Sequence, residues 1–233
     1  SVGVSETEVK HASYSEPVGG ALSAAIELGT AVGQINVHAL TTDNLFEAEL
    51  AYVGEIEYAV TGDAEKKIKL GQKMRRISVG DQIKTVMNQI SNREDLVWTI
   101  GISPTVPVKL ELDGGVGVSR LDLSGLRITE VEVDGGVGET FLNLPTTGSR
   151  YGVKLDGGVG ATHITIADGA ALNLKIDAGV GAVDIHLPAT AAVRLEGDGG
   201  VGGVSVPPSF NRVRGSGSFI GAGGVWETTG FSL

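Results

Sequence analysis

Leu110-Glu111-Leu112-Asp113-Gly114-Gly115-Val116-Gly117-Val118-Ser119-Arg120-Leu121-Asp122-Leu123 holds an apolar-x-apolar triplet, a glycine block and a second alternating run. Alternation with period 2 on both sides means two short strands, each burying one face, and the block between them is a corner. The block Asp-Gly-Gly-Val-Gly recurs with small changes, beginning at Asp113, Asp134, Asp156, Asp177 and Asp198, at intervals of 21, 22, 21 and 21 residues. One structural unit is therefore being repeated with a single residue of slack.

Two strands joined by a glycine corner are too few to bury a core alone. Coils stacked about 4.8 Å apart pair their backbones and pile like residues into columns, so the expected architecture is an all-β solenoid of coils about 21 residues long. Triplets such as Val131-Glu132-Val133, Val153-Lys154-Leu155 and Leu174-Lys175-Ile176 precede the blocks, and Leu121/Leu123, Leu142/Leu144, Ile164/Ile166 and Ile185/Leu187 follow at matching offsets. The block valines Val116, Val137, Val159, Val180 and Val201 are expected to form one inward column, with the glycines serving the sharp corners. The middle residues of the triplets form an outward column, Glu111, Glu132, Lys154, Lys175 and Glu196, in which Glu132/Lys154 and Lys175/Glu196 are opposite in sign and favour the in-register stack.

Fainter copies reach towards the N-terminus. Ile26-Glu27-Leu28-Gly29-Thr30-Ala31-Val32-Gly33 reads as the same unit without its Asp, and Gly54 follows Gly33 by 21 residues. This divides the chain into an N-terminal extension or cap strand over 1–19, a solenoid over 20–206 and a glycine-rich cap or assembly segment over 207–233. Near 61–95 the period lapses into an irregular coil, hairpin or small insertion.

Composition narrows the function classes. The chain has 233 residues, 41% of them hydrophobic, enough for a continuous core, and its 36 glycines fit many tight turns in register. A formal charge of −10 argues against nucleic-acid binding. One basic stretch, Lys66, Lys67, Lys69, Lys73, Arg75 and Arg76, could meet an anionic polymer or form a solvated hairpin face. With no cysteine there is neither a disulfide framework nor thiol chemistry. No apolar run approaches the ~20 residues of a membrane span. The chain opens at Ser1, as removal of an export signal would leave it.

Trp98-Thr99-Ile100, Val106-Pro107-Val108-Lys109-Leu110-Glu111-Leu112 and Arg120-Leu121-Asp122-Leu123-Ser124-Gly125-Leu126, taken together, resemble the toast-rack family. That family covers the extracytoplasmic domains of bacterial cell-wall-active antibiotic response proteins and related adhesin-like proteins. The resemblance spans roughly Gly20 to Pro207. It implies a single-stranded, right-handed β-helix outside the cytoplasm with no shared catalytic apparatus, and it carries over no functional residue.

The candidate site residues are few. Asp113, Asp134, Asp156, Asp177 and Asp198 should stack along one edge, and like charges in a column need an offset. Asp side chains accept bonds from the turn amides that follow them, while Ca2+ bound by the carboxylates and turn carbonyls is the sharper alternative. His38, His163 and His186 lie at odd offsets from their block glycines and so face outward; with His11 they show no catalytic or metal-ligand spacing. Strand residues follow each glycine block where a phosphate loop would open a helix. Carboxylates from different coils could flank a groove at glycosidase separations, but few aromatics are available to stack on sugars.

The expected function is a non-catalytic extracellular structural or interaction protein of the cell envelope, whose partner is another copy of itself or an envelope protein. The alternatives are a stress-signalling ectodomain acting through a partner and a polysaccharide-binding or polysaccharide-degrading β-helix. Terminal coils leave unpaired backbone groups, so either the two ends cap themselves or copies grow head to tail into a filament, with Val2, Val4, Val9, Phe219, Trp226 and Phe231 as assembly candidates.

Overall fold

The computed structural model describes residues 8–73, 94–177, 179–188, 190–198, 201–205, 210–212 and 219–221, with backbone alone from residue 194 onward. Every element is a strand, and among the described residues no helix forms, so none is long and apolar enough to cross a membrane. In the N-terminal half these are β1 (Lys10–Pro17), β2 (Ser23–Gly29), β3 (Val32–Ala39), β4 (Asn44–Tyr52), β5 (Glu55–Thr61), β6 (Glu65–Lys73) and β7 (Val97–Ile102). The repeats supply β8 (Val108–Asp113), β9 (Val116–Asp122), β10 (Ile128–Asp134), β11 (Val137–Leu144), β12 (Tyr151–Asp156), β13 (Val159–Ile166), β14 (Ala171–Asp177), β15 (Val180–His186), β16 (Ala192–Asp198) and β17 (Val201–Ser205). A short hairpin of β18 (Phe210–Arg212) and β19 (Phe219–Gly221) follows.

Two large sheets share the repeats. One runs β1-β4-β7-β3-β9-β11-β13-β15-β17, the other β16-β14-β12-β10-β8-β2-β6-β5, and every pair within the repeats is parallel. Like blocks face each other: Val137 pairs with Val116 and Val159, and Asp134 with Asp113 and Asp156. Leu110, Leu112, Val131, Val133, Leu142, Leu144, Val153, Leu155, Ile164, Ile166, Leu174 and Ile176 are buried and fill one continuous core between the sheets. Burial of each such side chain contributes roughly 1.5–3 kcal/mol, which is why strands of six to eight residues suffice once stacked.

The block valines Val137, Val159 and Val180 do not belong to that core. Val137, Val159 and Val180 are 49%, 49% and 51% exposed, so the expected inward column faces solvent. Val137 lies five residues before the buried Leu142, and an odd offset puts it on the opposite face of the strand. The inward position beside it is Gly138, whose φ is +142° and whose added Cβ would run into the Gly117 backbone. Gly160 and Gly181 stack on the preceding coil in the same way. At the corner the coils approach too closely for any inward side chain, and the valine turns out because the glycine turns in.

A second difference concerns the N-terminal copies. The coil of β2 and β3 lies between β6/β7 on one side and β8/β9 on the other, all parallel, although β6 and β7 come later in sequence. The segment around Gly54 is not a further parallel coil: β4 runs antiparallel to β7, and β5 antiparallel to β6. The described part of the aperiodic region thus includes a hairpin whose second strand continues the sheet. Reversal of β4 and β5 ends the parallel stack, and Tyr14 of β1 meets Tyr58 of β5 with ring centroids 4.3 Å apart. Lys66 faces inward beside Ile68 and is 2.8 Å from Glu16, so this buried ammonium is matched by a carboxylate.

Two substitution pairs test this packing. Gly160→Ala should lower stability by roughly 2–4 kcal/mol, combining a left-handed backbone with a clash, whereas Gly152→Ala, whose Cβ would meet nothing, should stay within about 0.5 kcal/mol in urea denaturation. Val159→Asp should cost at most about 1 kcal/mol, and Ile164→Asp several kcal/mol. Equal losses at Val159 and Ile164 would place the valine column back in the core.

Candidate interaction surface

The carboxylates that end the first strand of each coil stand in register. Asp134 pairs with Asp113 and Asp156, and Asp177 with Asp156 and Asp198. Asp134 accepts a bond from the Gly136 amide at 3.3 Å, so a turn amide does face a column carboxylate, and Asp156 has the Lys154 ammonium 4.0 Å away. Among the described residues no three His, Asp or Glu side chains converge as a metal site. In this column Asp113, Asp134 and Asp177 are exposed and Asp156 is half-buried.

Beside it, across the corner, runs the exposed valine row. Its first member by register is Val32, paired with Val116, but Val32 is 4% exposed because Val53, Leu96 and Val9 pack over it. Further along, Val137, Val159 and Val180 have no such cover. A third outward row on the same sheet reads Arg120, Phe141, His163, Asp184. The Arg120 guanidinium lies 4.4 Å from the Phe141 ring centroid, and that ring stacks on His163 at 4.8 Å. His163 lies 3.4 Å from Glu139 through Nε2 and 3.4 Å from Asp184 through Nδ1. His11, His38 and His186 are exposed and are not members of this row. This row was not grouped from the sequence, although Arg120, Phe141, His163 and Asp184 all lie three residues after their block glycines.

On the other sheet the mid-triplet column extends beyond the repeats, as Lys69, Glu27, Glu111, Glu132, Lys154, Lys175 and Glu196. Lys154 and Glu132 are 2.7 Å apart, and Lys69 and Glu27 2.9 Å. The hydrogen bond from Lys154 holds the Glu132 carboxyl below the usual range, and Glu132 raises Lys154 in return. Lys73 lowers Glu57 in the same manner, while Thr42 and Asn44 donate to Glu47 and lower it. Burial pushes the Tyr151 hydroxyl up; it donates to the Pro145 carbonyl at 2.6 Å.

Of the assembly candidates, Val9 is half-buried against Val32, Val53 and Leu96, and Phe219 opens β19. Val2, Val4, Trp226 and Phe231 lie outside the described residues.

The family model for the N-terminal domain of toast_rack, DUF2154, matches residues 3–165. No curated protein matches the chain. A crystal structure of a candidate cell adhesion protein from Clostridium sporogenes superposes with a TM-score of 0.61 at 18% identity, covering 84% of this chain and 98% of that one. A candidate adhesin from Bacteroides fragilis, 13% identical, gives a TM-score of 0.36 over 97% of this chain and 98% of its own. The first likeness shows the fold.

Acid titration probes the charge columns. Glu47, Glu57 and Glu132 are lowered in the folded chain, so each stabilises above the ordinary glutamate value of about 4.3 and loses that contribution as pH falls below it. Between about pH 5 and pH 2 the melting temperature of Glu132→Gln should fall less steeply than that of the parent. Because the pair is exposed and screened, the difference should be about 2 °C or less and should vanish in high salt.

Proposed function

The chain belongs to the toast-rack family, and from that premise we propose that it is a non-catalytic extracellular protein of the cell envelope, serving as a structural and interaction surface. The observation that carries this reading is the set of outward rows: one strand position repeated in register builds long, straight lines of valine, aspartate and mixed charge. Repetition of this kind suits a surface that is gripped along its length, where an enzyme would bring unlike side chains to one point. The naming of the Clostridium sporogenes protein as a candidate adhesion protein supports the same class.

In this reading the repeats wind as a single-stranded, right-handed solenoid with coils of about 21 residues, and the protein reaches the surface after removal of an export signal. Copies associate end to end. The far edge of the stack, β16 and β17, offers parallel strands whose outer sides pair with no strand among the described residues. A second chain laid against that edge makes a heterologous contact that grows and does not close.

Antibody labelling of intact cells that make the protein should stain them without permeabilisation; staining only after permeabilisation contradicts the extracellular assignment. Sedimentation velocity should show mean mass rising with concentration and no plateau at a dimer. A strict monomer at about 0.5 mM removes the end-to-end element, and turnover of any glycan in a panel removes the non-catalytic one.

A further inference from the structure

The basic stretch that opens at Lys66 is largely absorbed by the fold. Lys66 turns inward to Glu16, Lys69 meets Glu27, and Lys73 meets Glu57 at 2.6 Å. Arg75 and Arg76 lie outside the described residues. Lys67 is left exposed, with no ion pair or hydrogen bond among the described residues.

Register explains where Lys67 stands. It lies opposite Ala25 on β2, which in turn lies opposite Lys109 on β8, so two ammonium-bearing strands flank a methyl group. Lys109 reaches to Glu130 on its far side at 3.2 Å. Two residues further along the same outer face, Glu27, Glu111 and Glu132 sit on adjacent strands. Three carboxylates in a row are destabilising. Lys69 takes Glu27 and Lys154 takes Glu132, which leaves Glu111 between them with no ion pair of its own, in the field of both ammoniums. The face thus carries an ammonium without an ion pair at Lys67 and a carboxylate without a direct ion pair at Glu111. Between them is a groove of about 320 Å³ floored by Ala25, with Ala59 at its β5 side. That volume is at the small end of ligand sites.

We propose that this groove binds a small linear zwitterion. Its anionic end meets Lys67, its cationic end meets Glu111, and an uncharged middle lies over Ala25. Lys67 and Glu111 are two strands and two residues apart, which by sheet spacing puts their Cα atoms roughly 12 Å from one another. Allowing for the hydrogen bond at each end, a ligand with the span of an extended peptide of about two or three residues bridges them. Both side chains come from strands of one sheet, so the spacing of their Cα atoms is set by the register. Exposure keeps binding weak, with Kd on the order of 1 mM. The inference stands on the geometry of this face and does not depend on the adhesive role.

The test is an amide chemical-shift titration of the full chain with tri-alanine, N-acetyl-tri-alanine, tri-alanine amide and 6-aminohexanoate. Tri-alanine should produce saturable shifts at Ala25, Lys67, Lys109 and Glu111. Both end-blocked peptides should bind at least about tenfold more weakly, as should tri-alanine to Lys67→Gln or Glu111→Gln. The double variant Lys67→Glu with Glu111→Lys should recover binding with the ligand reversed, an outcome that surface unfolding would not give. Saturation by 6-aminohexanoate supports recognition of charge spacing alone, and saturation by the peptide only supports a further contact with its amides. Equal binding of blocked and unblocked peptides, or no saturable shift by either zwitterion at about 20 mM, overturns the proposal.

Discussion

Where the chain turns from one sheet to the other, each coil lies directly against the backbone of its neighbour. Gly117, Gly138, Gly160 and Gly181 occupy the inward position there, with φ between +142° and +151°, and a Cβ on any of them would collide with the glycine below. Hydrogen bonds carry the ladder through the turn: the amides of Val137, Val159 and Val180 donate to the carbonyls of Gly115, Gly136 and Gly158 at 2.8, 2.8 and 2.7 Å. A chain held this closely has one available register. Slipping by a residue would put a side chain into the contact and would also turn the apolar face of both strands to water.

The other regularities follow from that register. Two residues past each glycine the corner is still narrow, and Ser119, Thr140, Thr162 and Val183 fill it as buried small or β-branched side chains. Leucine and isoleucine come next, where the sheets have diverged. Outside, the same alignment forces aspartate onto aspartate and valine onto valine, so the surface is written in columns. Mixed signs in Lys69, Glu27, Glu132 and Lys154 relieve part of the like-charge cost. At the N-terminal end the stack stops because β4 and β5 run backwards and the aromatic rings of Tyr14, Phe46 and Tyr58 gather between the sheets.

Much of this was legible in the sequence because a period of 21 residues fixes both spacing and face. The buried triplets, the outward histidines and the Glu132/Lys154 pair could all be counted out from the glycine block. The valines were misplaced because their β-branched shape suggested a core, while the parity that located the histidines gave the opposite and correct face. The order of coils could not be read. A stack of similar coils accepts β2/β3 beside β6/β7 or beside β8/β9 with the same spacing, and only the chain path selects between them. The groove at Ala25 was hidden for the same reason, since Lys67 and Lys109 are 42 residues apart and come to flank Ala25 through that threading.

The central claim is that the glycine corners are a continuous hydrogen-bonded ladder and not loops between strands. Amide hydrogen exchange measures this directly. The amides of Gly135, Val137, Gly157 and Val159, each bonded to the adjacent coil, should exchange as slowly as those of the buried strand residues Val133 and Leu155. Exchange at the corners faster by two or more orders of magnitude, at rates typical of exposed turns, would contradict the account.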